Sequence, residues 1–176
     1  MELSGEITDC LRLENDPVAL AGCEHFIPAS HFYRGFPVSG EPEIADVRAE
    51  ASELFEQCDP EINVPPILAG IWTVRRPFPM KELHPAFGLK FAHVWELLRY
   101  HARHPAALLM NGWANGFVMQ PKEGETAMVQ GRWYNPDRPS QMYAPKEGWI
   151  IGAVPFKKDV LVQRGTRLVM RYPDEG

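Results

Sequence analysis

Proline sets the layout of this chain. It occurs 17 times in 176 residues, and the longest stretches free of it are 1–16, 43–59, 86–104, 106–120, 122–135 and 156–172. A proline inside a helix removes an N–H and clashes with the preceding turn, at a cost of about 3 kcal/mol, and a central strand cannot spare the donor either. Regular elements are therefore expected between the prolines. The 17 prolines and 14 glycines together stay below the roughly 25–30% share that marks low-complexity chains. With 45% hydrophobic and 23% charged residues, the composition is that of a globular domain.

The stretch 43–59 reads as a helix. Ile44, Val47, Ala51, Leu54, Phe55 and Cys58 form one apolar stripe, Pro42 suits the first turn, and Asp59-Pro60 ends it. Its other face is acidic (Glu43, Asp46, Glu50, Glu53 and Glu56 against Arg48) and is a candidate surface for a basic partner. The stretch 86–104 reads as a second, basic helix. Phe91, Val94, Trp95, Leu98 and Ala102 make its buried stripe, and Arg99, Arg103 and His104 complement the dipole at its end.

Beyond Pro105 the apolar period changes from helical to two. Ala106–Met110 and Trp113–Gln120 flank Asn111-Gly112, a hairpin signal, with a helix continuing to residue 110 as the competing reading. Thr126–Tyr134 alternates Ala127, Val129, Gly131 and Trp133 with Met128, Gln130 and Arg132. Trp149–Val154 is apolar on both faces, as a central strand is. Val160–Gln163 and Arg167–Tyr172 flank Arg164-Gly165 as a further expected hairpin. Glu6–Leu13 and Ile67–Val74 are additional strand candidates, while 14–42 and 59–85 read as long Pro-rich connections. The expectation is one α+β domain over 1–176. Its mostly antiparallel sheet lies largely in the C-terminal half and packs against two helices, with long Pro-rich loops.

Many function classes lack their signatures. There is no Walker phosphate loop, no GxGxxG after a strand, no nucleophile elbow, no HExxH and no EF-hand loop. Net charge is −5 without a basic cluster, which argues against nucleic-acid binding. The charge-free run 105–121 is shorter than the about 20 residues of a spanning helix, so no membrane partner is expected. Cys10, Cys23 and Cys58 form no CxxC, and the N-terminus Met-Glu-Leu-Ser-Gly-Glu has no apolar segment. A cytoplasmic protein with free thiols is expected.

Four constellations remain. Cys23, His25 and His31, with Cys10, have thiolate and imidazole chemistry suited to zinc, but their spacing matches no standard finger, and no cofactor is expected. His101 and His104, with His93, Glu96 and Tyr100 on the polar side of the second helix, are the candidate catalytic groups. A cysteine nucleophile is disfavoured at Cys58 by its acidic neighbours. The segment Trp133, Tyr134, Arg138, Met142 and Tyr143 carries residue types enriched in interface cores, on a Pro-rich loop.

The leading expectation is a non-enzymatic protein–protein interaction or assembly protein that binds another protein or itself through that aromatic loop. One alternative is a small enzyme or ligand-binding protein with a pocket between the sheet and helix 86–104, using His101, His104, Asn111 and Asn115. A zinc-stabilised module is the other. The Pro-dense segments 14–42, 59–85 and 136–145 lose little entropy on ordering and are the expected recognition regions.

Overall fold

The computed structural model describes residues 5–33, 41–103, 108–122, 125–138, 143–155 and 160–173. A helical turn α1 (Gly5–Thr8) leads into strands β1 (Leu11–Leu13), β2 (Val18–Leu20) and β3 (Cys23–Phe26), then helix α2 (Pro28–Phe32). Strand β4 (Ile44–Val47) and helix α3 (Ala49–Gln57) precede β5 (Glu61–Val64), β6 (Ile67–Val74) and β7 (Phe78–Pro79). Two 3₁₀ turns (Met80–Glu82 and Pro85–Phe87) lead to helix α4 (Phe91–Arg103). The chain ends with β8 (Asn115–Met119), β9 (Ala127–Tyr134), β10 (Gly148–Pro155), β11 (Leu161–Val162) and β12 (Arg167–Arg171).

The fold is α+β around an eight-stranded, mostly antiparallel sheet. Its order is β1-β6-β12-β8-β9-β10-β4, with β2 also on β6; only β12–β8 and β10–β4 run parallel. β1 and β2 follow one another along the same edge of β6, pairing Leu13 with Trp72 and Val18 with Ala69. The Asn15-Asp16-Pro17 step between them interrupts the edge, since proline cannot extend the ladder.

Strand alternation divides the core between the two faces of the sheet. On one face Phe117, Val129, Trp149, Ile151 and Val169 meet α2, α3 and α4. There Phe32 stacks on Phe55 at 4.6 Å, and Phe55 meets Phe91 edge-on at 5.4 Å. On the other face Trp72, Val118, Met128, Leu168 and Met170 lie under Ile7, Phe78, Met80, Leu83 and Phe87. A small third cluster, Ala45, Ala144 and Ile150, covers the β10–β4 end. β9 alternates as expected, and Ala69–Trp72 of β6 and Trp149–Ile151 of β10 are buried on both faces of the sheet.

Four expectations are corrected. Residues 43–59 are not one helix: Ile44–Val47 pair in parallel with β10, and the helix starts only at Ala49, after an extended Arg48 (φ −71, ψ 157). An unpaired apolar β10 edge outweighs local helical propensity there. The Asn111-Gly112 turn exists (Gly112 φ +83), but residues 108–114 form no strand and β8 pairs with β9 and β12 instead. Arg164-Gly165 also turns (Gly165 φ +86), yet β11 pairs with β7, while β12 pairs with β6 and β8. Finally, the Pro-rich segments hold β2, β3 and α2, and β5 and β7 beside the expected strand Ile67–Val74 (β6), so the sheet draws on both halves of the chain. Helix 86–104 is found as a 3₁₀ turn and α4.

Candidate interaction surface

β9 ends at Tyr134, and the backbone then turns. The Asn135 side chain accepts the Asp137 N–H at 2.9 Å, and the Asn135 carbonyl accepts that of Arg138 at 3.1 Å. The described chain resumes at Tyr143. Ala144 next to it is buried against Ala45 and Ile150, and the Tyr134 ring meets the Tyr143 ring at 6.3 Å. From the residue between β4 and α3, Arg48 Nη2 donates to the Tyr143 carbonyl at 2.8 Å, while its Nη1 pairs with Asp46 at 2.8 Å. These contacts fix the backbone at and just after a tyrosine whose own surface is 75% exposed.

Of the five expected interface residues, Tyr134 and Tyr143 come together. Trp133 does not join them: alternation turns it to the helix face, where it packs edge-on against Trp149 at 5.3 Å. Arg138 is exposed, and Met142 lies outside the described residues.

The other candidates are dispersed. Cys23 and His25 lie on β3, with His25 opposite Ile62, while His31 on α2 stacks on Phe26 at 4.0 Å. Among the described residues no three His, Cys, Asp or Glu side chains converge on a metal position, Cys10 included. Burial, then the Glu61 charge, pushes the Cys58 thiol up to about 11, and the same two causes raise Cys23. Neither thiol is poised as a nucleophile at neutral pH. His101 belongs to the last turn of α4, its side chain outside the described set, and His104 lies outside it altogether. His93 is buried in the first turn of α4, its Nε2–H donating to the Pro65 carbonyl at 2.9 Å. Asn111 caps the local turn, accepting the Trp113 N–H at 3.2 Å, and Asn115 is wholly buried in backbone hydrogen bonds. Because α3 starts at Ala49, Glu43 and Asp46 leave the expected acidic helix face. Glu50, Glu53 and Glu56 remain in the helix, and Glu50 and Glu53 border a cleft of about 230 Å³.

Sequence reasoning missed a second cavity of about 230 Å³ on the sheet face opposite the helices. Arg132 and Gln130 of β9 contribute to it, with Arg164 and Thr166 from the turn before β12. Its sequence signal is the polar face of β9: glutamine and arginine alternating inside a strand with neighbours on both sides. Neither cavity is lined by a residue of α4. No described helix is long and apolar enough to cross a membrane. No family model matches the chain, and no curated protein or solved structure matches it.

Proposed function

We propose that this chain is a non-enzymatic interaction or assembly protein, engaging an extended segment of another protein at the Tyr134–Tyr143 platform beside the open edge of β4. The observation that carries this reading is the presentation of Tyr143: three-quarters exposed, on a backbone clamped by Arg48 and by the burial of Ala144. An aromatic side chain held out on an ordered backbone gives large contact area at low entropic cost, which is the character of interface hot spots. Among the described residues β4 ends the sheet, so its outer edge offers backbone groups for strand addition, with Tyr143 as the side-chain anchor.

A photo-crosslinking phenylalanine analogue at position 143, expressed in native cells, tests the proposal. The expected result is one discrete adduct, suppressed by excess wild-type protein and not by the Tyr143→Ala protein; its mass distinguishes a second copy from another chain. Absence of an adduct, or equal suppression by Tyr143→Ala, overturns the reading. Arg48→Ala, which releases the clamp, is expected to compete less well than wild type.

A further inference from the structure

Among the described residues, the face opposite the helices is covered in two separate places. Residues 160–166 and the 3₁₀ turn at Met80 cover one part, and Ala144 covers the β10–β4 end. Between them the sheet is floored by Gln130 and Arg132 of β9 and by Gly152 and Val154 of β10, with Gln130 directly opposite Gly152. A Cβ at Gly152 would meet no described atom within 4 Å, so the floor is open above it.

Beside this gap the cavity of about 230 Å³ has two kinds of wall. Met80, Met128, Val154 and Val162 are apolar, and Trp113 stands at the rim, 57% exposed. Arg132, Arg164, Gln130, Gln163 and Thr166 are polar, and no carboxylate is among the lining residues. Arg132 Nη1 donates to the Gly112 carbonyl at 3.3 Å, which uses one of five guanidinium donors. Elsewhere Arg12, Arg48, Arg99 and Arg167 each reach a carboxylate, as expected in a chain of net charge −5.

The Arg164 turn is held in place by its neighbour. Gly165 has φ +86, and a Cβ there would lie 3.1 Å from the Trp113 ring. The absence of a side chain lets the indole close on the turn, so Arg164 and Trp113 line the cavity from adjoining positions.

We propose that this cavity binds a small organic carboxylate: an anionic head between Arg132 and Arg164 and a short apolar body against the methionine and valine wall. The guanidinium fork matches the two oxygens of a carboxylate, and such charge-assisted pairs are about twice as strong as neutral hydrogen bonds. The glutamine amides orient the head, and Trp113 closes over the body. The volume lies below the about 300 Å³ at which drug-sized pockets begin, which limits the ligand to metabolite size. The site is separate from the Tyr143 platform, so either proposal can fail alone.

The test is a thermal-shift and tryptophan-fluorescence titration with acetate, isovalerate, 3-phenylpropionate and indole-3-acetate. Each is paired with its neutral amide, and phenyl phosphate and inorganic phosphate are run in parallel. Saturable binding by at least one of the larger carboxylates is expected, with its amide weaker by about tenfold or more. Arg164→Gln, at an exposed turn position, is expected to weaken binding about tenfold at unchanged melting temperature. Arg132→Gln should weaken binding likewise, and Trp113→Phe should remove the fluorescence response. No response to any carboxylate, equal affinity for acid and amide, or an Arg164→Gln protein that binds as wild type each overturns the proposal. Tighter binding of phenyl phosphate or inorganic phosphate overturns the assignment to a carboxylate.

Discussion

The carboxylate of Glu61 accepts the backbone N–H of Phe91 at 2.8 Å, and its second oxygen accepts that of Ala92 at 2.9 Å. Residues 61 and 91 are far apart in sequence, so α4 is capped by β5 and not by its own preceding residue. Helix N-termini leave four N–H groups without intrahelical partners, and Glu61 satisfies two of them. Glu61→Ala is expected to cost about 1–3 kcal/mol in urea unfolding and to speed amide exchange at the start of α4. Glu61→Gln, which keeps one acceptor, should cost less. Burial raises the Glu61 carboxyl above 4.5, and the two N–H donors with Lys90 only partly oppose it. A raised carboxyl contributes stability that is fully present below 4.5 and lost as pH rises through the folded value. The advantage of wild type over Glu61→Gln should therefore shrink as pH rises above 4.5, measured by urea midpoints from pH 4 to 8.

His93 sits in the same first turn with the opposite sign. Its Nδ1 accepts the Lys90 N–H at 3.1 Å, which leaves Nε2–H to donate to the Pro65 carbonyl. Protonation would take the Nδ1 lone pair away. Burial lowers the His93 pKa, the Pro65 carbonyl opposes this, and the charges of Lys90 and Arg171 add to the lowering. A depressed histidine contributes stability present above 6.5 and lost as pH falls through its folded value. Wild type should lose stability as pH falls below 6.5, and His93→Gln should flatten that limb. Between the two groups the trends oppose, so each substitution should expose the slope that the other residue conceals.

The parts of this fold legible in the sequence are those where one strand's own residues set its environment. β9 and β10 declare their faces by alternation and by continuous apolarity, and the α4 stripe of Phe91, Val94, Trp95 and Leu98 declares its buried side. Ile44–Val47 was not legible, because Ile44 and Val47 fit a helical stripe and what makes them a strand is the edge of β10, a hundred residues away. The two turn glycines were visible, but a turn says nothing about where the strands beyond it pair. Tyr134 and Tyr143 stood out by residue type, and the fold brings their rings together. Arg132, Arg164 and Trp113 escaped because three distant segments converge on their cavity. Glu61 carries no local sign of its role, since its partners lie across the fold.

Asn115 is wholly buried, and its amide is fully committed. Oδ1 accepts the Leu109 N–H at 2.8 Å, and Nδ2 donates to the carbonyls of Leu109 at 3.0 Å and Gly131 at 3.1 Å. The side chain thus ties residues 108–114 to the middle of the sheet. Asn115→Ala should cost about 2–4 kcal/mol, from orphaned backbone groups and a small void. Asn115→Asp keeps the volume but turns a second acceptor toward two carbonyls, and it should be no milder. Urea unfolding of the two variants checks both statements; an aspartate variant as stable as wild type would remove the hydrogen-bond account.

Two glycines provide a test with opposite signs. Gly165 has φ +86 and lies under the Trp113 ring, so Gly165→Ala adds backbone strain of about 1–2 kcal/mol and pushes the indole off the turn. Its urea midpoint should fall, and the environment of Trp113 should become more aqueous, seen as a red-shifted emission that Trp113→Phe abolishes. Gly152 lies in a strand at ordinary φ with open space above it. Gly152→Ala should gain about 0.5–1 kcal/mol, because alanine has less unfolded-state entropy to lose and meets no described neighbour. A Gly165→Ala protein whose emission does not shift would show that Trp113 does not rest on the Gly165 turn, and a Gly152→Ala midpoint that falls would overturn the account of that position.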